Sequence, residues 1–280
     1  MKFSRILTTS LVSLALLAQF GCDSGDSQKV AQTQANTQEV IKAGVCPGPY
    51  RSLIEKFIKP ELLERGYKVE VVEFTDYIQP NSALDGGDIQ FNLMQHQTYL
   101  DNIVKEQGLK IKAVINVPTL GLGIFSDKYK SLDAVQDGAK VGVPNDAVNL
   151  ARALRIASEF KLITLKTLNK EQKASIADIG ENPLHLEFIP MEAAQISRSL
   201  DSLDLGFVPG NYAYASGLDY SKSLGVESVQ EDIKNVLAVK SDEEKLDKVL
   251  LEIVKSEDFK KALNADKDFD AFSRPQWWNK

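Results

Sequence analysis

Asn145, Asp146, Asn149 and Arg152 fall within eight residues of one another, directly after the apolar run Val141-Gly142-Val143. The pattern reads as a strand end, a polar turn and the first turns of a helix. Asn145 or Asp146 can cap that helix by accepting a hydrogen bond from a free backbone N–H. A helix start carries unpaired N–H groups and a partial positive charge, so it suits an anion. Arg152, about two turns further on, adds a planar fork of donors matched to a carboxylate. The chemistry on offer is non-covalent capture of an acid group. A solvated arginine paired with a nearby acid fits the same spacing.

Other chemistries find little material. The chain has two cysteines, Cys22 and Cys46, and two histidines, His96 and His185. No metal cluster, zinc spacing or Cys/His dyad can be built from them. No phosphate-binding GxxxxGK[ST] loop, GxSxG elbow or HExxH motif occurs. Neither a nucleophile–base pair nor paired acids can be assembled from the sequence, so no catalytic residue, cofactor or metal is expected, and the chain does not read as an enzyme. A formal charge of −6 over 280 residues argues against nucleic acid as a partner.

The elements that must hold these groups come in a plain order. Residues 1–21 have a basic start at Lys2 and Arg5, an apolar run from Ile6 to Leu17, and a small residue, Gly21, before Cys22. This is a targeting segment, too short in its apolar part to span a membrane comfortably. Cys22 is the expected site of lipid attachment. Residues 22–39 are polar and read as a disordered tether, with a reach on the order of 20 Å. From there strands and helices alternate. Val40 to Val45, Tyr67 to Phe74, Asp88 to Leu93, Glu187 to Pro190, Leu203 to Val208 and Asn235 to Val239 read as strands. His96 to Glu106 and Asp242 to Lys255 read as helices, and Ser256 caps another through Leu263. Such alternation predicts an α/β fold with a mainly parallel sheet in each of two lobes. With 43% hydrophobic residues the chain can bury a core in both.

Several segments, in order, resemble the NlpA family, the methionine-binding lipoproteins of bacterial ABC importers. They are Gly44-Val45-Cys46-Pro47-Gly48-Pro49, Val71 to Tyr77 with Gln79-Pro80-Asn81, and Ala83-Leu84-Asp85 with Gly87-Asp88-Ile89. Gln95-His96-Gln97 with Tyr99-Leu100-Asp101 follows, then Asn145 to Leu154, Glu192-Ala193-Ala194-Gln195 with Arg198 to Asp201, and Gly210-Asn211-Tyr212-Ala213. The resemblance implies a two-lobed periplasmic-binding-protein fold, type II-like, with ligand in the cleft between hinged lobes. Residues 40–127 plus 235–280 would form lobe 1 and residues 128–234 lobe 2.

It also implies a site. Arg152 would grip a ligand carboxylate with Asn149 beside it, and Tyr77, Met94, His96, Tyr99 and Asn235 would line the rest of the pocket. Departures cluster there. Leu93 and Met94 stand where the family usually has aromatics, and Pro209 where it usually has an asparagine that reaches the ligand. Proline has no side-chain donor or acceptor, so Asn211 or a water substitutes, or the ligand differs. Cys46 reads as a buried thiol. The function implied is capture of methionine, or a close relative, by a protein anchored in the cell envelope through lipid on Cys22 and facing the periplasm or exterior. The ligand would pass to an ABC permease. A different small amino acid or short peptide, or a surface lipoprotein with an adhesive or partner-contact role, are the alternatives.

Overall fold

The computed structural model describes residues 38–168 and 173–279. The leader, Cys22 and nearly all of the tether lie outside the described residues. The chain builds a first sheet and its covering helices as β1 (Glu39–Val45), α1 (Tyr50–Leu53), α2 (Lys59–Glu64), β2 (Tyr67–Glu73), α3 (Gln79–Gly86), β3 (Phe91–His96), α4 (Gln97–Gln107) and β4 (Ile111–Asn116). It crosses through residues 117–122 to β5 (Gly123–Phe125), β6 (Lys140–Pro144), α5 (Ala147–Glu159), β7 (Glu187–Met191), α6 (Ala193–Ile196), β8 (Leu205–Val208), α7 (Gly210–Ala215) and β9 (Gly225–Val226). Residues 227–234 return it to β10 (Asn235–Lys240), α8 (Glu244–Lys255) and α9 (Glu257–Ala265).

Local chemistry sets these elements. In α8, Leu246, Leu250, Ile253 and Val254 recur at helical spacing and are buried. Each is worth about 1.5–3 kcal/mol of transfer free energy when fully buried. The Glu243 carboxylate caps the start of α8 by accepting from Leu246 N–H, and the Ser256 hydroxyl does the same for α9 from Phe259 N–H. Gly87 ends α3 in the left-handed conformation at φ 86°. The chain then bends, so the strand expected over Asp88 to Leu93 instead runs from Phe91 to His96.

Two five-stranded sheets result, ordered β2-β1-β3-β10-β4 and β7-β6-β8-β5-β9. Both are mixed, a correction to the mainly parallel expectation. In the first, β10 is antiparallel to β3 and β4; in the second, β5 is antiparallel to β8 and β9. The reason is topological. These are the first strands after each crossing, so both start at the cleft and run away from it, whereas β3 and β8 end there. Asn235 accordingly pairs with His96, and Gly123 with Val208. Since β5 pairs within the second sheet, the outgoing crossing lies at 117–122 rather than near 128. Ile111 to Phe125 reads locally as extended chain, and nothing in it says which sheet each piece joins.

One core packs Ile41, Leu53, Ile54, Phe91, Leu237, Leu250 and Phe269 around the first sheet. Another packs Ile124, Val141, Leu154, Leu205 and Phe207 around the second. The C-terminal segment reaches both crossings. Thr119 and Ser273 exchange backbone hydrogen bonds of 3.0 and 2.9 Å. Trp277 Nε1 donates to Asn116 O at 3.0 Å, and Gln276 N donates to Glu231 Oε2 at 3.2 Å. No described helix is long and apolar enough to cross a membrane.

Candidate ligand-binding cleft

Because most strands end at the cleft, the loops and helix starts that follow them converge there. Tyr50 comes after β1, Tyr77 after β2, Met94 and His96 from the end of β3, and Tyr99 from the first turn of α4. From the second lobe come Asn149 and Arg152 on α5, and Pro209 to Asn211 after β8. Asn235 opens β10. Together with Gln95 and Leu120 they line a chamber between the lobes. All seven residues expected at the ligand are on its wall: Tyr77, Met94, His96, Tyr99, Asn149, Arg152 and Asn235.

Arg152 is 7% exposed. Its guanidinium is gripped by a residue that sequence reasoning missed. Glu227, on the returning crossing, accepts from Arg152 Nε through Oε2 at 2.9 Å and from Nη2 through Oε1. Oε1 also accepts from Leu122 N–H at 2.7 Å, on the outgoing crossing. A buried cation demands a partner, and Glu227 supplies it from 75 positions away. Burial works against the guanidinium charge, but Glu227 outweighs it and holds the Arg152 pKa above its usual value. Nη1 donates to Asn149 Oδ1 at 3.3 Å. Of five N–H donors, one on each terminal nitrogen is left over.

Asn149 is oriented by three partners. Its Nδ2 donates to the Asp146 carboxylate, whose Oδ1 also caps α5 by accepting from Asn149 N–H at 2.8 Å. Its Oδ1 faces both Arg152 and, at 3.2 Å, His96 Nε2. His96 Nδ1 accepts from Tyr99 N–H at 3.1 Å, capping α4. The proton therefore sits on Nε2, and both ring nitrogens are already committed. Burial, then the charge of Arg152, hold the imidazole down to about 3, so it is neutral. Burial pushes the Asp146 carboxyl up, opposed by the bonds from Asn149.

The lobes touch beside the chamber. Tyr77 Oη donates to Asn211 Oδ1 at 2.7 Å, and Asn211 Nδ2 donates to Pro47 O at 3.0 Å. Asn211 thus bonds across the lobes and also lines the chamber beside Pro209. Tyr77 and Tyr212 rings pack at 5.3 Å, and Tyr99 and Ile103 meet Val148. Cys46 is buried, its Sγ donating to Asp76 O at 3.2 Å, and burial pushes its thiol well up, away from reactivity.

Two polar wall groups stand out. Neither the Asn235 carboxamide nor the Tyr99 hydroxyl is bonded to protein among the described residues, and no fully buried side-chain N or O is left without a partner. Both therefore open onto space. Tyr50, Gln95, Leu120, Gly210 and Asn211 also line the chamber. Gln95 and Asn211 belong to motifs already singled out, whereas Tyr50 and Leu120 carry no local signal. Among the described residues no group of His, Cys, Asp and Glu could hold a metal ion.

Two α/β lobes around this chamber match the architecture of substrate-binding proteins, and the relatives are named as binding proteins rather than enzymes. The chain belongs to the NlpA lipoprotein family, whose model matches residues 41–277. It is 35% identical over 237 residues to the D-methionine-binding lipoprotein MetQ of Escherichia coli (strain K12), covering 84% of each chain. A nutrient binding protein from Burkholderia cenocepacia bound to methionine superposes with a TM-score of 0.78 at 34% identity, over 84% of this chain and 99% of that one. A periplasmic substrate-binding protein of an ABC transporter from Coxiella burnetii gives 0.76 at 34%, over 84% and 99%.

Proposed function

We propose that this protein captures methionine or a closely related amino acid and delivers it to an ABC permease. In this reading it is anchored to the cell envelope through lipid on Cys22 and faces the periplasm or exterior. One observation carries the ligand class. The chamber's spare hydrogen-bonding capacity includes one N–H on each terminal nitrogen of Arg152, the Asn235 carboxamide and the Tyr99 hydroxyl. A carboxylate suits the first; an ammonium suits the oxygens of the other two. Met94, Tyr50, Tyr77 and Leu120 offer the apolar wall that a thioether side chain needs.

Pro209 supports a second reading, in which the same fold takes another small amino acid or short peptide. Calorimetric titration with a panel of amino acids, both enantiomers of methionine included, separates the two. Tight binding of a different ligand with no heat from methionine defeats the methionine assignment. Mass spectrometry of whatever the unfolded protein releases would name the replacement.

A further inference from the structure

We infer that Glu227 is a specificity-determining residue: by pairing with Arg152 from behind the chamber wall, it sets the site to prefer a ligand of zero net charge over an anion. This rests on the reading that the chamber holds an α-amino acid.

The geometry is one-sided. Arg152 lines the chamber and Glu227 does not. The carboxylate takes the Nε and Nη2 edge of the guanidinium and a backbone N–H of Leu122. Three N–H donors and no acceptor face it. Both side chains are nearly excluded from water, at 8% and 5% exposure, where charge compensation is felt most strongly. Of the other charged or titratable groups nearby, His96 is neutral, and Asp76, Asp146 and Glu192 line a neighbouring groove rather than the chamber, Asp146 capping the start of α5. The Arg152–Glu227 unit is therefore neutral overall while keeping two N–H donors for an acid group. A carboxylate ligand gains directed hydrogen bonds but no net Coulombic pull, and only one bearing its own cation enters without adding charge.

The test is calorimetry of the mature protein with three ligands of nearly one shape: methionine, its α-hydroxy acid and its carboxamide, with net charges of 0, −1 and +1. For the unmodified protein the hydroxy acid and the carboxamide are each expected to bind at least tenfold more weakly than methionine, and within about tenfold of each other. In Glu227→Gln the hydroxy acid gains on the carboxamide by at least tenfold, and Glu227→Asp restores the original ratio. If the unmodified protein already prefers the hydroxy acid to the carboxamide by more than a hundredfold, the inference is overturned. That comparison needs no variant and stands even if Glu227→Gln does not fold. Equal weakening of all three ligands in a folded Glu227→Gln makes the residue merely structural and likewise overturns it. Absence of binding by any amino acid overturns the reading of the chamber itself, a separate failure.

Discussion

His96 and Asn149 stand on opposite lobes and meet across the cleft, His96 Nε2 lying 3.2 Å from Asn149 Oδ1. The contact needs a proton on Nε2, and Nδ1, by accepting from Tyr99 N–H, requires the imidazole to be neutral. The pKa falls from 6.5 to about 3 through burial and the neighbouring Arg152 charge. The folded protein thus excludes a proton that the unfolded chain takes up below about pH 6.5. Stability is full above that pH and declines as pH falls from 6.5 toward 3. At about pH 5.5 the His96 share of the loss is about 1.4 kcal/mol. Urea unfolding at about pH 7.5 and 5.5, compared with His96→Gln, measures it; an equal pH dependence in the variant excludes His96 as its source.

The Arg152–Glu227 pair makes a prediction about stability apart from ligand. Arg152→Met leaves a buried carboxylate uncompensated and is expected to destabilise by about 3–5 kcal/mol. The double change Arg152→Met, Glu227→Met removes the orphaned charge and is expected to be more stable than the single variant. Urea midpoints of the set decide it, and a double variant weaker than the single one counts against a buried, mutually compensating pair.

Gly48 lies at φ +143°, and a Cβ there would come 2.7 Å from Asn211 Cβ on the other lobe. Gly48→Val should hold the lobes apart. Ligand affinity is expected to fall at least tenfold while the circular dichroism spectrum stays that of the parent, and X-ray scattering should show a larger radius of gyration. An unchanged radius with unchanged affinity would sink this.

Tyr77→Phe removes the hydroxyl that Asn211 Oδ1 accepts from across the lobes. The loss is expected to be about 0.5–1.5 kcal/mol of closure free energy, or roughly two- to tenfold in ligand affinity. Calorimetry at one temperature is sufficient, and no change would mean that the bond is replaced by water in solution.

What the sequence made readable was the part written locally. Capping residues, helical periodicity and β-branched runs placed α5, α8, α9 and most strands, and a run of ordered motifs marked the wall residues. What escaped was decided at a distance. The acid that pairs with Arg152 is one of 39 in the chain, and Glu227 has neither spacing nor motif to separate it from the rest. The sheet assignment of Gly123–Phe125 depends on pairing with Val208 and Val226, far along the chain. His96 served two purposes at once: it caps α4 and lines the chamber, so reading it as either alone would have been incomplete.

The bonds from Thr119 to Ser273, from Trp277 to Asn116 and from Gln276 to Glu231 give the joint between the lobes a third ply. A swing carried by two bare ropes would be loose in every direction. This one is laced along its spine by residues 273–277, and bending there is expected to be stiffer than the two crossings alone would make it. Flexural resistance at the joint is then a quantity that substitutions at Trp277 can tune without touching the chamber.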